Sequence, residues 1–159
     1  MIRIGQGYDT HAFDRQRRLI LGGVEVPCEH GGLRGHSDAD VLTHAVASAL
    51  LGSLALGDLG KHFPDQEAQW KDANSLDLLR HVMGLVQAQG FHVVNCDCTV
   101  VAQEPRLASY VDSMVQELAA CMQVSAGQVS VKATTAEGLG ALGRVEGIAA
   151  QAIVLVSSD

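Results

Sequence analysis

The chain has 159 residues, 47% of them hydrophobic but only 4% aromatic, and carries a formal net charge of −7 from 11 basic and 18 acidic side chains. That length fits a single domain over residues 1–159 with no need of a disulfide, and its core must be built from Val, Leu, Ala and Ile. The acidic balance excludes a long nucleic-acid footprint, which needs a basic face to displace counterions, and any anionic ligand must find positive charge locally, from helix N-termini, a few Arg or Lys, or metal ions.

Ile2 and Ile4, followed by Gly5-Gln6-Gly7-Tyr8, predict a first strand ending in a glycine-bearing turn, with no signal peptide ahead of it. Leu19-Ile20-Leu21 and Val24-Glu25-Val26, separated by Gly22-Gly23, predict a tight β-hairpin. From Asp40 to Leu56 apolar residues recur on a broad helical face, so a largely buried helix is expected, capped by Asp38 or Asp40 and ended by Gly57. This run is too short for a membrane span and contains His44, Ser48 and Gly52; a soluble, cytoplasmic chain is the expectation. Asn74 or Ser75 can cap a second helix, with Gly90 just past its end. Phe91 to Ala102 reads as a strand, and Arg106 to Met122 as a third helix with Pro105 at its first turn. Val129 to Ala133 and Ile148 to Val156 are the last strands. The predicted fold class is α+β: a mixed β-sheet with helices layered on one face, plus a small β-hairpin. Cys28, Cys96, Cys98 and Cys121 form no CxxC pair and read as small structural thiols in a reducing compartment.

Three groups carry candidate chemistry. Asp9 and His11 alternate on one side of the first strand, and His44 lies on the buried helix. Two His and one carboxylate with a fourth position open is the usual design of a catalytic zinc site. Satisfied core histidines beside a helix cap explain the same spacing equally well. The second group, Asp58 to Asp65, is a polar loop directly after the helix, placed either to bind or simply to turn. In the third, Thr134 and Thr135 precede Glu137, Gly138 and Gly140, offering donors for phosphate oxygens and a carboxylate for Mg²⁺. The glycine spacing is not that of a Walker loop.

Six segments together resemble one family in order and spacing: Gly7 to His11, His36 to Asp40 with His44, Gly57 to Asp65, Ala102 to Arg106, Lys132 to Glu137, and Gly143 to Gly147. That family is 2-C-methyl-D-erythritol 2,4-cyclodiphosphate synthase of the non-mevalonate isoprenoid pathway, and the likeness covers essentially the whole chain. It implies conversion of 4-diphosphocytidyl-2-C-methyl-D-erythritol 2-phosphate to the cyclic diphosphate and CMP, the substrate's own 2-phosphate attacking the β-phosphorus. It implies that Asp9, His11 and His44 hold Zn²⁺ and that Glu137 helps hold Mg²⁺ or Mn²⁺ on the diphosphate. His36 and Thr135 take the catalytic positions. Substrate contacts are implied for Asp9, Thr10, His11, His36 and Ser37. They are implied likewise for Asp58, Leu59, Gly60, Phe63, Pro64 and Asp65 on the methylerythritol side. Ala102, Gln103, Glu104, Pro105 and Arg106 with Thr134 form the cytidine pocket, and Thr135, Ala136, Glu137, Ala141 and Arg144 complete the set. The resemblance also implies a homotrimer with active sites between subunits, Arg144 and Glu146 lining a cavity on the threefold axis. Ala39, Ser48, Ala136 and Ala141 depart from the family's common Gly, Asp, Thr and Phe.

Two other readings share these residues. One is a metal-dependent phosphohydrolase using a water nucleophile, and the other a metal- or nucleotide-binding module without turnover.

Overall fold

The computed structural model describes residues 1–64 and 72–158. Five strands form one mixed sheet, in the order β4 (Gly32–Leu33), β1 (Ile2–Asp14), β7 (Gly147–Ser157), β5 (His92–Val101), β6 (Val129–Thr134). β7 runs antiparallel to both β1 and β5, while β6 pairs in parallel with β5. The predicted hairpin forms separately from β2 (Leu19–Leu21) and β3 (Val24–Val26). Of the three long helices, α1 (Val41–Ser53) and α4 (Val111–Met122) lie on strands of the sheet, and α3 (Ser75–Ala88) packs against both helices. Short turns of helix form α2 (Leu59–His62) and α5 (Gly140–Gly143). No helix among the described residues is long and apolar enough to cross a membrane.

Alternation sorts the sheet into an inward face and an outward one. Ala150, Ala152, Val154 and Val156 of β7 point in beside Cys96, Cys98 and Val100 of β5, all buried. An irregularity between Val93 and Asn95 shifts the alternation by one residue, so Val93 also faces in. The cysteines are free, and Cys96, Cys98 and Cys121 are buried in the core as expected.

β1 differs from its expectation. It does not end at Gly5-Gln6-Gly7 but continues to Asp14. The two glycines are packing residues: a Cβ on Gly5 would stand 1.9 Å from the Ala49 carbonyl oxygen, and one on Gly7 would stand 2.0 Å from that of Ala45. α1 therefore rests backbone-to-backbone on β1. Its other sides are covered by β7 and α3, which is why it is apolar nearly all round.

Asp40 caps α1, accepting from the Thr43 N–H. The helix stops before the predicted Gly57. Leu56 N donates to Leu51 O and Ala55 N to Gly52 O, with Ala55 in the left-handed region at φ 56. This is a Schellman ending with Ala where Gly is usual. α3 starts as predicted, Asn74 accepting from Leu76 N–H. α4 does not start at Arg106: a 3-10 turn at Ala108–Tyr110 precedes it, and Pro105 lies outside the helix after a cis peptide. Leu107 is buried, Glu104 pairs with His30, and Gln103 accepts from Gly138 N–H, so this segment is held by its neighbours in a non-helical path.

Gly7→Ala is expected to destabilise the chain by about 3 kcal/mol, the upper range for overpacking, because the methyl meets backbone. Ala55→Gly is expected to stabilise it by about 1 kcal/mol by relieving the left-handed alanine. Urea unfolding at matched protein concentration checks both signs.

Candidate active site and metal centre

The α1–β1 contact also builds the site. Gly7 lies against Ala45, so His44, the preceding helix residue, comes down beside Asp9 and His11 on the same face of β1. One ligand atom from each lies within 4.8 Å of the others, the only such group of three or more among the described residues. Asp9 Oδ2 stands 2.9 Å from His11 Nε2 and 3.0 Å from His44 Nδ1. The approach to His11 lacks hydrogen-bond geometry, and His11 Nε2 is buried with no partner. Two imidazole nitrogens and a carboxylate oxygen converging around an orphaned buried nitrogen fit a divalent metal of the zinc type.

Electrostatics support the same assignment. Burial disfavours charge on Asp9, but the two adjacent imidazoles outweigh it and hold its carboxyl well below the usual carboxylate range. Asp9 in turn pushes His11 above the ordinary imidazole value of 6.5, against the effect of burial.

The ligand group opens into a cavity of about 460 Å³ whose walls include His36, Ser37, Ser48, Asp58, Leu59, Gly60 and Phe63. His36 Nε2 is buried there without a hydrogen-bond partner. Asp58 also caps α2 by accepting from Lys61 N–H. Thr10 is exposed and turned away from this face, its hydroxyl donating to Ile148 O. Pro64 is half-buried at the end of the loop, and Asp65 lies outside the described residues.

The remaining predicted residues form a second cluster. β5 and β6 end side by side, and Ala102 N donates to Thr134 O. Gln103 reaches Gly138, and Glu104 pairs with His30 Nε2 at 2.7 Å. Pro105 is half-buried and Arg106 exposed. Thr135 Oγ1 lies 3.3 Å from Glu137 Oε1 and accepts from Glu137 N–H, folding the loop back on itself. Ala136 O accepts from Leu139 N–H. Ala141 lies on α5, and Arg144 pairs with Glu146 at 2.7 Å. None of these residues lines the metal cavity. β1 and β6 are three strand positions apart, about 14 Å at ordinary sheet spacing.

Sequence reasoning misses several residues of the site. Ser75, read as a possible cap, lies behind His44 with its hydroxyl 2.9 Å from Nε2. Arg17 donates to the carbonyls of Gly35 and Ser37 and clamps the His36 loop from behind. Neither carries a local signal, because their partners are distant in sequence. Ser48 lines the cavity one helical turn beyond His44, a placement that i,i+4 spacing does signal. Ala39 holds φ 58, which accounts for the glycine familiar at this position.

A profile of the YgbB family matches residues 2–157. The chain belongs to the YgbB family. Among its relatives, a protein of Syntrophomonas wolfei named 2-C-methyl-D-erythritol 2,4-cyclodiphosphate synthase is 57% identical over 155 residues, 98% of both chains. The Bacillus subtilis protein of the same name is 53% identical over 98% of each. Among solved structures, the bifunctional IspDF of Campylobacter jejuni superposes with a TM-score of 0.95 at 38% identity. That alignment takes in the whole of this chain but 43% of the bifunctional one. Plasmodium falciparum IspF in complex with CDP superposes with a TM-score of 0.85 at 31% identity, over 99% of this chain and 97% of that one.

His11→Ala and His44→Ala are each expected to abolish stoichiometric Zn²⁺ binding without unfolding the chain; full occupancy in both variants would remove the assignment. In the unmodified protein, uptake should weaken as pH falls, starting above the ordinary imidazole value of 6.5, because protons compete for a raised His11 while Asp9 stays ionised. Chelator competition from about pH 5 to 8 follows this titration.

Proposed function

We propose that this chain converts 4-diphosphocytidyl-2-C-methyl-D-erythritol 2-phosphate to 2-C-methyl-D-erythritol 2,4-cyclodiphosphate and CMP. The observation that carries the reading is the convergence of Asp9, His11 and His44 on one wall of a cavity that also holds the unpartnered His36 Nε2. Full-length identity above 50% to synthases of that name supports it.

The reaction needs no protein nucleophile. An oxygen of the substrate's 2-phosphate forms a bond to the β-phosphorus, the bond from that phosphorus to the CMP oxygen breaks, and no water is consumed. The protein's task is to fold a flexible polyanion so that its two ends meet, which gives the intramolecular attack a high effective molarity. Asp9, His11 and His44 would hold Zn²⁺, and Glu137 would help hold Mg²⁺ or Mn²⁺; such ions supply charge neutralisation to the phosphoryl groups. His36 presents a ring nitrogen to a phosphate oxygen in the cavity. Ser37, Asp58, Leu59, Gly60 and Phe63 shape the wall that receives the methylerythritol part, with Pro64 and Asp65 beyond it. Ala102 to Arg106 with Thr134 receive the cytidine, and the Thr135 hydroxyl stands beside Glu137 to meet the diphosphate. Thr10, Ala136, Ala141 and Arg144 belong to the same proposed substrate set.

The separation of the two clusters supports assembly as a homotrimer, with the Thr134–Glu137 loop of one copy facing the metal cavity of its neighbour. The outward sheet face supports it too: Ile2, Ile4, Tyr8 and Ile153 stand exposed there, an apolar patch of the kind that marks an interface. A single domain over residues 1–159, working in the cytoplasm, completes the reading.

³¹P NMR on the cytidine substrate is the test, with and without a chelator. The expected result is a cyclic diphosphate with CMP, formed only when metal is present. A linear phosphate product would establish the phosphohydrolase reading instead, and tight binding without turnover the binding module.

A further inference from the structure

Building on the metal site proposed above, we infer that Ser75 and Asp38 fix the tautomer of His44 and thereby decide which ring nitrogen is free for the metal. Ser75 is fully buried in the first turn of α3, and its hydroxyl meets two groups, Asp38 Oδ1 and His44 Nε2, the latter at 2.9 Å. A hydroxyl has one proton to give, and an ionised carboxylate only accepts. The Ser75 proton therefore goes to Asp38, and Ser75 Oγ must accept toward His44, which places the imidazole proton on Nε2. Ser37 Oγ, 3.1 Å from the same nitrogen, already accepts from Ala39 N–H and serves as a weaker second acceptor. With Nε2 committed to Ser75, Nδ1 is the nitrogen turned to the ligand group, hydrogen-bonded to Asp9 Oδ2 at 3.0 Å, and a metal bound there would replace the proton of that bond.

The framework around this relay keeps the proton order in place. Asp38 Oδ2 accepts from Ser75 N–H at 3.0 Å and Oδ1 accepts from Asp40 N–H at 3.2 Å. Asp38 N donates to Ala73 O and Asp72 N to His36 O, which ties the loop ahead of α1 to the start of α3. Ser75 and Asp38 are thus positioning residues that act through His44.

The proton arithmetic has a consequence that mere packing does not. In Asp38→Asn the shape is kept, but the side chain has one acceptor and one donor group. Its NH₂ meets a donor in either placement: Ser75 N–H at the Oδ2 position, or Asp40 N–H and the Ser75 hydroxyl at the Oδ1 position. In the second placement the Ser75 proton turns to His44 Nε2 and the ring takes its proton on Nδ1, where the metal belongs. An isosteric change should therefore weaken metal binding, as should deletion of the hydroxyl.

The test is Zn²⁺ affinity by chelator competition on the full chain, with the unfolding midpoint of each metal-free protein measured beside it. Outer partners of metal-bound histidines are worth about 10- to 100-fold in affinity. Ser75→Ala and Asp38→Asn are each expected to weaken binding by about tenfold or more. In Zn²⁺-loaded wild type, a two-bond ¹H–¹⁵N correlation should show the His44 proton on Nε2. Affinities within twofold of wild type in both variants would overturn the relay, while leaving the metal site itself intact. Failure of the wild type to bind Zn²⁺ would instead remove the metal site on which the relay rests.

Discussion

The structure depends on one close approach: the backbone of α1 lies directly on β1 because Gly5 and Gly7 present no Cβ to the carbonyls of Ala49 and Ala45. A helix on a sheet is ordinarily held off by side chains, and the ligands it carries then stand well away from those on the strand. Here the spacer is gone. Asp9 and His11 continue the strand beyond Gly7 on the same face, and His44 immediately precedes Ala45, so the packing contact and the ligand distances are one geometric fact.

A second constraint orients the N-terminal end of α1. Asp40 is fully buried and receives Gly22 N–H, Gly23 N–H, Thr43 N–H and the Thr43 hydroxyl. Burial pushes its carboxyl pKa up, and the donors oppose that shift. The side chain thereby locks the turn of the β2–β3 hairpin to the start of the helix that carries His44. Arg17 works from the other side, bringing a guanidinium to the carbonyls of Gly35 and Ser37 behind the His36 loop.

Much of this was legible in the residues, and the misreadings share a cause. β-branched alternation located β5, β6 and β7, and Gly22-Gly23 located the hairpin, because each signal is local. Glycine has two uses, positive φ and the absence of a Cβ, and a single chain does not say which applies. Gly5 and Gly7 were expected to turn and instead admit a helix. Gly57 was expected to end α1, but Ala55 takes the left-handed position first. Pro105 looked like a helix start, yet the burial of Leu107 and the contacts of Gln103 and Glu104 hold its segment elsewhere. In the site, strand alternation alone paired Asp9 with His11. His44 was offered as their third ligand by residue type and its place on the buried helix, a reading the resemblance made specific, and Ser75, 31 residues from its partner, joined only through the fold.

The two clusters of site residues pose a problem that the fold states clearly. The metal ligands occupy the helix-covered face of β1, whereas Thr134 ends β6 with an exposed side chain, and β7 and β5 lie between. No rotation of side chains closes a gap of about three strand spacings through a packed sheet. If both clusters serve one diphosphate, the second must come from another copy of the chain. The exposed apolar face of the same sheet, centred on β1 and β7, is where such a copy would pack. On the proposed reading, then, the sheet has a double role: its inner face sets the metal ligands against α1, and its outer face brings a neighbour's phosphate-binding loop to them.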